Sequence, residues 1–338
     1  MHWVIMFFMK KIKLKPAAYL LLLLIILIPL IIIGIALKSC GNSEEPVPTE
    51  EETTETTVEA TPTPTPTPTP WDTNFFTNIN SSNAILIDAE TGDTINELLP
   101  DTRMYPASMT KMMTALVVFD NVTDLDSTTT LDQHIFDDLF GNDASSAGFE
   151  NGETVSIRDL LYGCMLPSGA ECCLGLADYV AGSEAEFVEL MNEKAAELGM
   201  INTHFTNCTG LQDEQHFSTV RDMSILLRAL LQKPILRTII TSPSYTVSPT
   251  NMHPEGFTFY NTLINGLNNR GYGTDLIRGG KTGYTAAAGQ CLASFAVING
   301  HEYILVTAGA MGDPYNGDAL HIDDAIMVYQ SLQDYLMI

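Results

Sequence analysis

Ser108 and Lys111 stand three residues apart in Tyr105-Pro106-Ala107-Ser108-Met109-Thr110-Lys111, at the start of a segment whose pattern predicts a helix over 108–120. One turn apart on a helix, the two side chains share a face. A serine hydroxyl becomes a strong nucleophile only when a base takes its proton. Lysine can be that base if burial or a nearby cation holds its amine well below the usual value of about 10.4. Alone, the spacing describes an ordinary surface lysine equally well. Lys281-Thr282-Gly283 lies between Arg278-Gly279-Gly280 and Tyr284-Thr285, where glycines let backbone approach a ligand and the side chains could hold an anion. A second ammonium there would depress the amine of Lys111, although a solvated turn also fits the triplet by itself. Between these two segments, Leu166-Pro167-Ser168-Gly169-Ala170-Glu171 leads into a helix with Glu171 in its first turn, where an acid suits the dipole.

The elements that must position these residues are legible in outline. Residues 83–88 and 94–95 read as short strands around Glu90-Thr91-Gly92-Asp93. Helices are expected over 108–120, 157–180, 185–198 and 218–231, the last with Ser218 as N-cap. Strands return at 291–298 and 303–310 around Asn299-Gly300, a two-residue hairpin turn, and a closing helix runs over about 317–335. Strands at both ends with helices between predict an α+β fold whose terminal strands share one sheet.

The 338 residues carry 41 acidic and 16 basic side chains, a net charge of -25, which argues against nucleic-acid partners. From Trp71 onward 34 acids face 11 bases, so the acidity belongs mostly to the folded part. Ala17–Leu37 is an uncharged run long enough, at about 1.5 Å per residue, to cross a bilayer once. Lys10, Lys11, Lys13 and Lys15 precede it and only Lys38 follows, placing the N-terminus in the cytoplasm and the rest outside. Leu37-Lys38-Ser39-Cys40 also resembles a lipoprotein processing site, so lipidation of Cys40 is the alternative route to the same membrane. Glu-rich sequence and five Thr-Pro repeats up to Pro70 predict an unstructured, semi-rigid stalk. The expected organisation is a basic segment at 1–16, a transmembrane anchor at 17–37, a stalk at 38–73 and one catalytic domain at 74–338.

Ser-x-x-Lys, a serine-bearing middle motif and Lys-Thr-Gly occur here in the order found in penicillin-binding proteins and serine β-lactamases. The chain resembles the D-alanyl-D-alanine carboxypeptidases among the low-molecular-mass penicillin-binding proteins. The likeness extends over residues 83–311 and takes in Asp88-Ala89-Glu90-Thr91-Gly92, Met191-Asn192-Glu193-Lys194-Ala195, Leu198-Gly199-Met200, Thr203-His204-Phe205, Thr209-Gly210-Leu211 and Gly280-Lys281-Thr282-Gly283-Tyr284-Thr285. The resemblance implies the transpeptidase-like fold, an antiparallel sheet flanked by helices with a mainly helical subdomain. It implies that Ser108 attacks the bond between the last two D-alanines of a peptidoglycan stem peptide and that Lys111 takes its proton. By the same resemblance Ser168 passes a proton to the leaving D-alanine, and Lys281 and Thr282 bind the terminal carboxylate. The N–H groups of Ser108 and Tyr284, beside Gly283, would cradle the oxyanion. β-Lactam antibiotics would acylate the same serine, and no metal or organic cofactor is called for.

The sequence departs from the family where Ala170 replaces the asparagine of Ser-x-Asn. This keeps a second class open, a weakly active or non-catalytic penicillin- or peptidoglycan-binding sensor. A β-lactamase would need a deacylating acid, and Glu186 and Glu189 instead fit a solvated helix face. Cys164, Cys172 and Cys173 read as core filling, with Cys164 far from the other two along one helix. Cys208 and Cys291 could pair, and His204 and His216 read as structural.

Overall fold

The computed structural model describes residues 73–139, 141 and 144–337. The expected basic segment, the anchor at 17–37, the lipidation site at Cys40 and nearly all of the stalk lie outside the described residues. Among the described residues no helix is long and apolar enough to cross a membrane.

The described chain runs β1 (Asn83–Asp88), β2 (Thr94–Leu98), a 3-10 turn (Ala107–Thr110), α1 (Lys111–Asn121), β3 (Thr128–Thr130), α2 (Gln133–Leu139), β4 (Thr154–Ser156), α3 (Ile157–Met165), α4 (Ala170–Ala181) and α5 (Glu184–Leu198). It continues through α6 (Val220–Leu231), α7 (Pro234–Thr241), β5 (Ser244–Val247), β6 (Phe257–Tyr260), α8 (Thr262–Asn268), β7 (Ile277–Thr285), β8 (Gly289–Ile298), β9 (His301–Ala310), a 3-10 turn (Pro314–Asn316) and α9 (Leu320–Met337). The main sheet is antiparallel in the order β2-β1-β9-β8-β7, so the first and last strands do share it, as expected. Asn299 and Gly300 both have positive φ (53° and 83°), the backbone that a two-residue hairpin between β8 and β9 requires.

Alternation along the strands builds two cores. Ile85 and Ile87 of β1, Val306 of β9 and Phe295 of β8 pack under the helical half with Met112, Leu160, Leu176 and Leu227. Ala84, Leu86, Leu305 and Leu292 face the other way, against Leu263 of α8 and Val328 and Tyr329 of α9. A sheet buried on both faces reads as nearly continuous apolar sequence, which is why β8 is buried almost throughout.

Three expectations are corrected. The helix expected over 157–180 is two helices, because Pro167 has no N–H to give and Ser168 adopts a left-handed φ of 71°. The N-cap of α6 is Thr219, whose side chain accepts from the Asp222 N–H, one residue beyond the expected Ser218. The first helix opens as a 3-10 turn holding Ser108, and Lys111 begins the α-helix proper.

Candidate active site

Ser108 is half-buried in the 3-10 turn, and Lys111 behind it is only 2% exposed. Lys111 Nζ donates to Ser108 Oγ over 3.0 Å and to the Thr209 carbonyl over 2.6 Å, so the amine is aimed at the hydroxyl by a second, fixed contact. The turn is held from two sides by glycines. A Cβ on Gly210 (φ 83°) would lie 1.9 Å from the Ala107 carbonyl oxygen, and one on Gly283 would lie 3.0 Å from Ser108 N. Ala107 itself has φ 47°, a backbone state uncommon for a residue with a side chain, so this packing holds local strain beside the nucleophile. His216 stands behind the turn. Its Nδ1 accepts from the Thr206 N–H at 3.1 Å, so Nε2 carries the proton and donates to Thr110 Oγ1 at 2.7 Å. Burial drives its pKa down to about 4, in keeping with a neutral, structural histidine. His204 has a structural role too, with Nδ1 2.8 Å from the Gln215 carbonyl.

The facing wall is β7, a terminal strand of the sheet, and not the solvated turn that Lys281-Thr282-Gly283 would suggest alone. Lys281 is 1% exposed, and its Nζ donates to Ser168 Oγ over 3.0 Å and to its neighbour's carbonyl, that of Thr282. Burial first, and the charge of Lys111 second, lower its pKa to about 7. Thr282 Oγ1 lies 2.9 Å from Thr262 Oγ1 at the start of α8. Ser108, Ser168, Thr282, Gly283 and Tyr284 line one cleft of about 770 Å³, which continues past Asn265 to His321. The structure thus brings together all seven residues singled out from the sequence: Ser108, Lys111, Ser168, Lys281, Thr282, Gly283 and Tyr284. The Thr209 carbonyl, Thr262 and Ser145 of this site went unassigned. Thr209 and Gly210 stand among the segments that carry the family resemblance, whereas Ser145 and Thr262 carry no such signal, since only tertiary packing brings them in.

Ala170, wholly buried at the first position of α4, offers the cleft no polar side chain. Its N–H donates to the Ser145 carbonyl at 2.8 Å, and Ser145 lines the cleft there. Glu186 and Glu189 are exposed on α5 and do not line the cleft, as a solvated face requires. Cys164, Cys172 and Cys173 do fill the core, but the expected distance of Cys164 is corrected: the break at 166–169 folds α3 against α4 and brings Cys164 Sγ within 3.3 Å of Cys173 Sγ. The five described cysteines are buried free thiols, Cys208 and Cys291 included.

A serine held by one buried lysine, with a second Ser–Lys pair across a cleft, is an arrangement that can carry out nucleophilic acyl transfer. The family model described as D-alanyl-D-alanine carboxypeptidase, peptidase family S11, matches residues 68–312, and the chain belongs to that family. It is 33% identical over 231 residues to a D-alanyl-D-alanine carboxypeptidase, DacF, of Bacillus subtilis, covering 68% of this chain and 57% of the relative. It is 34% identical over 227 residues to a D-alanyl-D-alanine carboxypeptidase of Streptomyces sp. strain K15, covering 64% and 76%. The chain thus spans little more than half the length of the Bacillus relative. The crystal structure of the Streptomyces K15 DD-transpeptidase superposes with a TM-score of 0.68 at 29% identity, over 75% of this chain and 97% of that one. The mixed fold with its antiparallel sheet is therefore that of the DD-peptidases.

Proposed function

We propose that the protein is a serine D-Ala-D-Ala carboxypeptidase, which removes the terminal D-alanine of peptidoglycan stem peptides through an acyl-enzyme on Ser108. The observation that carries this is Lys111 Nζ at 3.0 Å from Ser108 Oγ, with the Lys281–Ser168 pair on the same cleft. Lys111 takes the hydroxyl proton as Ser108 Oγ attacks the penultimate D-alanine carbonyl. The C–N bond then breaks, and the leaving amine receives a proton through Ser168. Lys281, with a pKa of about 7, can give and regain that proton near neutrality. Thr282 offers its hydroxyl to the terminal carboxylate. Water attacks the ester and gives its proton through Ser168 to Lys281, Lys111 returns its proton to the Ser108 oxygen as the C–O bond breaks, and the shortened peptide leaves. β-Lactams would acylate Ser108 by the same attack.

A second reading rests on Ala170, where an amide that could hold the substrate backbone is missing: a penicillin- or peptidoglycan-binding sensor. One assay separates the two. The full chain should release D-alanine from an N-acylated peptide ending in Lys-D-Ala-D-Ala, and Ser108→Ala should reduce release to background. A penicillin adduct on Ser108 without D-alanine release would replace the enzyme reading by the sensor.

The apolar run at 17–37, the lysines before it and the Glu/Thr/Pro-rich sequence after it support a single-pass anchor and stalk holding the domain outside the cell membrane. Lipidation at Cys40 is the competing anchor, and cell fractionation tests both.

A further inference from the structure

Glu171 lies outside every role given to the site so far, yet it is 1% exposed and stands one residue beyond Ala170. Its Oε1 accepts three hydrogen bonds from one short segment: from Ser146 Oγ at 2.8 Å, the Ala147 N–H at 2.6 Å and the Gly148 N–H at 2.9 Å. The same segment presses on the middle motif. A Cβ on Gly169 would fall 2.7 Å from Ala147 Cβ, and the Ser145 carbonyl receives the Ala170 N–H. Ser145 lines the cleft that Ser108, Ser168 and Thr282 share. Oε2 is buried with no hydrogen-bond partner among the described residues, so the contacts of Oε1 are what hold the carboxyl there.

We propose that Glu171 is a positioning residue: it latches residues 145–148 onto the helix that follows Ser168, and so sets the cleft wall beside Ala170. Ala170 brings no polar side chain to that wall, so the polar surface offered to a bound peptide there is that of Ser145. The placement of Ser145 depends on the three contacts to Glu171. Glu171 touches no reacting atom and acts through the segment it holds. This deepens the carboxypeptidase reading and rests on it.

The full chain and its Glu171→Ala and Glu171→Gln variants would be compared by D-alanine release, by the rate of fluorescent penicillin acylation per titrated active site, and by amide exchange over 145–148. Glu171→Ala should raise KM by about tenfold or more, slow acylation similarly and leave kcat within about threefold, since the wall is lost but the Ser108–Lys111 pair is not. Its amides at Ala147 and Gly148 should exchange faster. Glu171→Gln keeps an oxygen acceptor and should restore most of the KM. A variant that merely folds less well would lower the titrated site count with KM unchanged, and that result overturns the latch. Should Glu171→Ala fail to fold, Ser146→Ala, at an exposed side chain, removes one of the three contacts and should raise KM in the same direction by a smaller factor; an unchanged KM there overturns the proposal. A wild-type chain that neither releases D-alanine nor takes penicillin defeats the functional reading itself, whereas an active wild type matched by Glu171→Ala in KM and acylation defeats only the latch.

Discussion

Lys281 is the residue whose environment departs most from what its neighbours in sequence suggest. Between two glycines and a threonine it reads as solvated, yet it is buried against Ser168 within reach of the charge on Lys111. With its pKa at about 7 in the folded protein and 10.5 ordinarily, the unfolded chain binds more protons than the folded one between those values. Stability from this group therefore rises with pH across that window and is least below about pH 7, where the buried ammonium must be carried. The stability advantage of Lys281→Met over wild type, read from urea midpoints, should accordingly be largest near pH 6 and shrink toward pH 10. An advantage that is constant with pH would contradict the burial account. The Ser108–Lys111 relation was legible because a three-residue spacing becomes a shared face by local geometry alone. The contacts of Lys111 to Thr209, and of Glu171 to 146–148, join residues 98 and more than 20 positions apart, and nothing in the local pattern announces them.

At the scale of elements, periodicity identified the strands of the sheet's centre and most long helices, since each buries a face with a simple repeat. It ran through the break at 166–169, because apolar residues continue on both sides of Pro167 and the 3.6-residue pattern does not record a left-handed serine. The small hairpin of β5 and β6 was missed for a different reason: its four-residue strands are half exposed and pair only with each other. The closing helix α9 is fixed to the start of the domain by Asp324, which is wholly buried. Its carboxylate accepts from Asn80 N and Nδ2 at 2.8 Å, and from Ser81 N at 2.8 Å and Oγ at 2.6 Å. Asp324→Ala strands the two donors of buried Ser81, while those of exposed Asn80 can turn to water, and should destabilise the domain by about 2–3 kcal/mol. Penicillin acylation per folded site should stay near the wild-type rate, because Asp324, unlike His321 of the same helix, does not line the cleft. Denaturant unfolding and active-site titration check the two halves of that statement separately.

For the whole molecule, the fold class followed from strand–helix–strand order, and the family resemblance carried the site, while the membrane arrangement rests on sequence alone. The proposed anchor makes a definite statement about the intact chain. It should sediment with membranes and resist alkaline washing, and removal of 17–37 should release it to the soluble fraction. If instead Cys40→Ala alone releases it, the lipid is the tether. Residues 71–338 carry a net charge of -23, while the two lysines of the site, Lys111 and Lys281, are buried.

Gly210 leaves no space for one added carbon against the turn of Ser108, and Gly283 leaves only a tight one, and that bears on how such a site can change over generations. A lineage under pressure to refuse one acylating ligand while keeping another has no path through Gly210, because the first methyl group there displaces the turn that carries the nucleophile for every ligand alike. Variation that discriminates has room at other residues that line the cleft, such as Ser145 and Gln212.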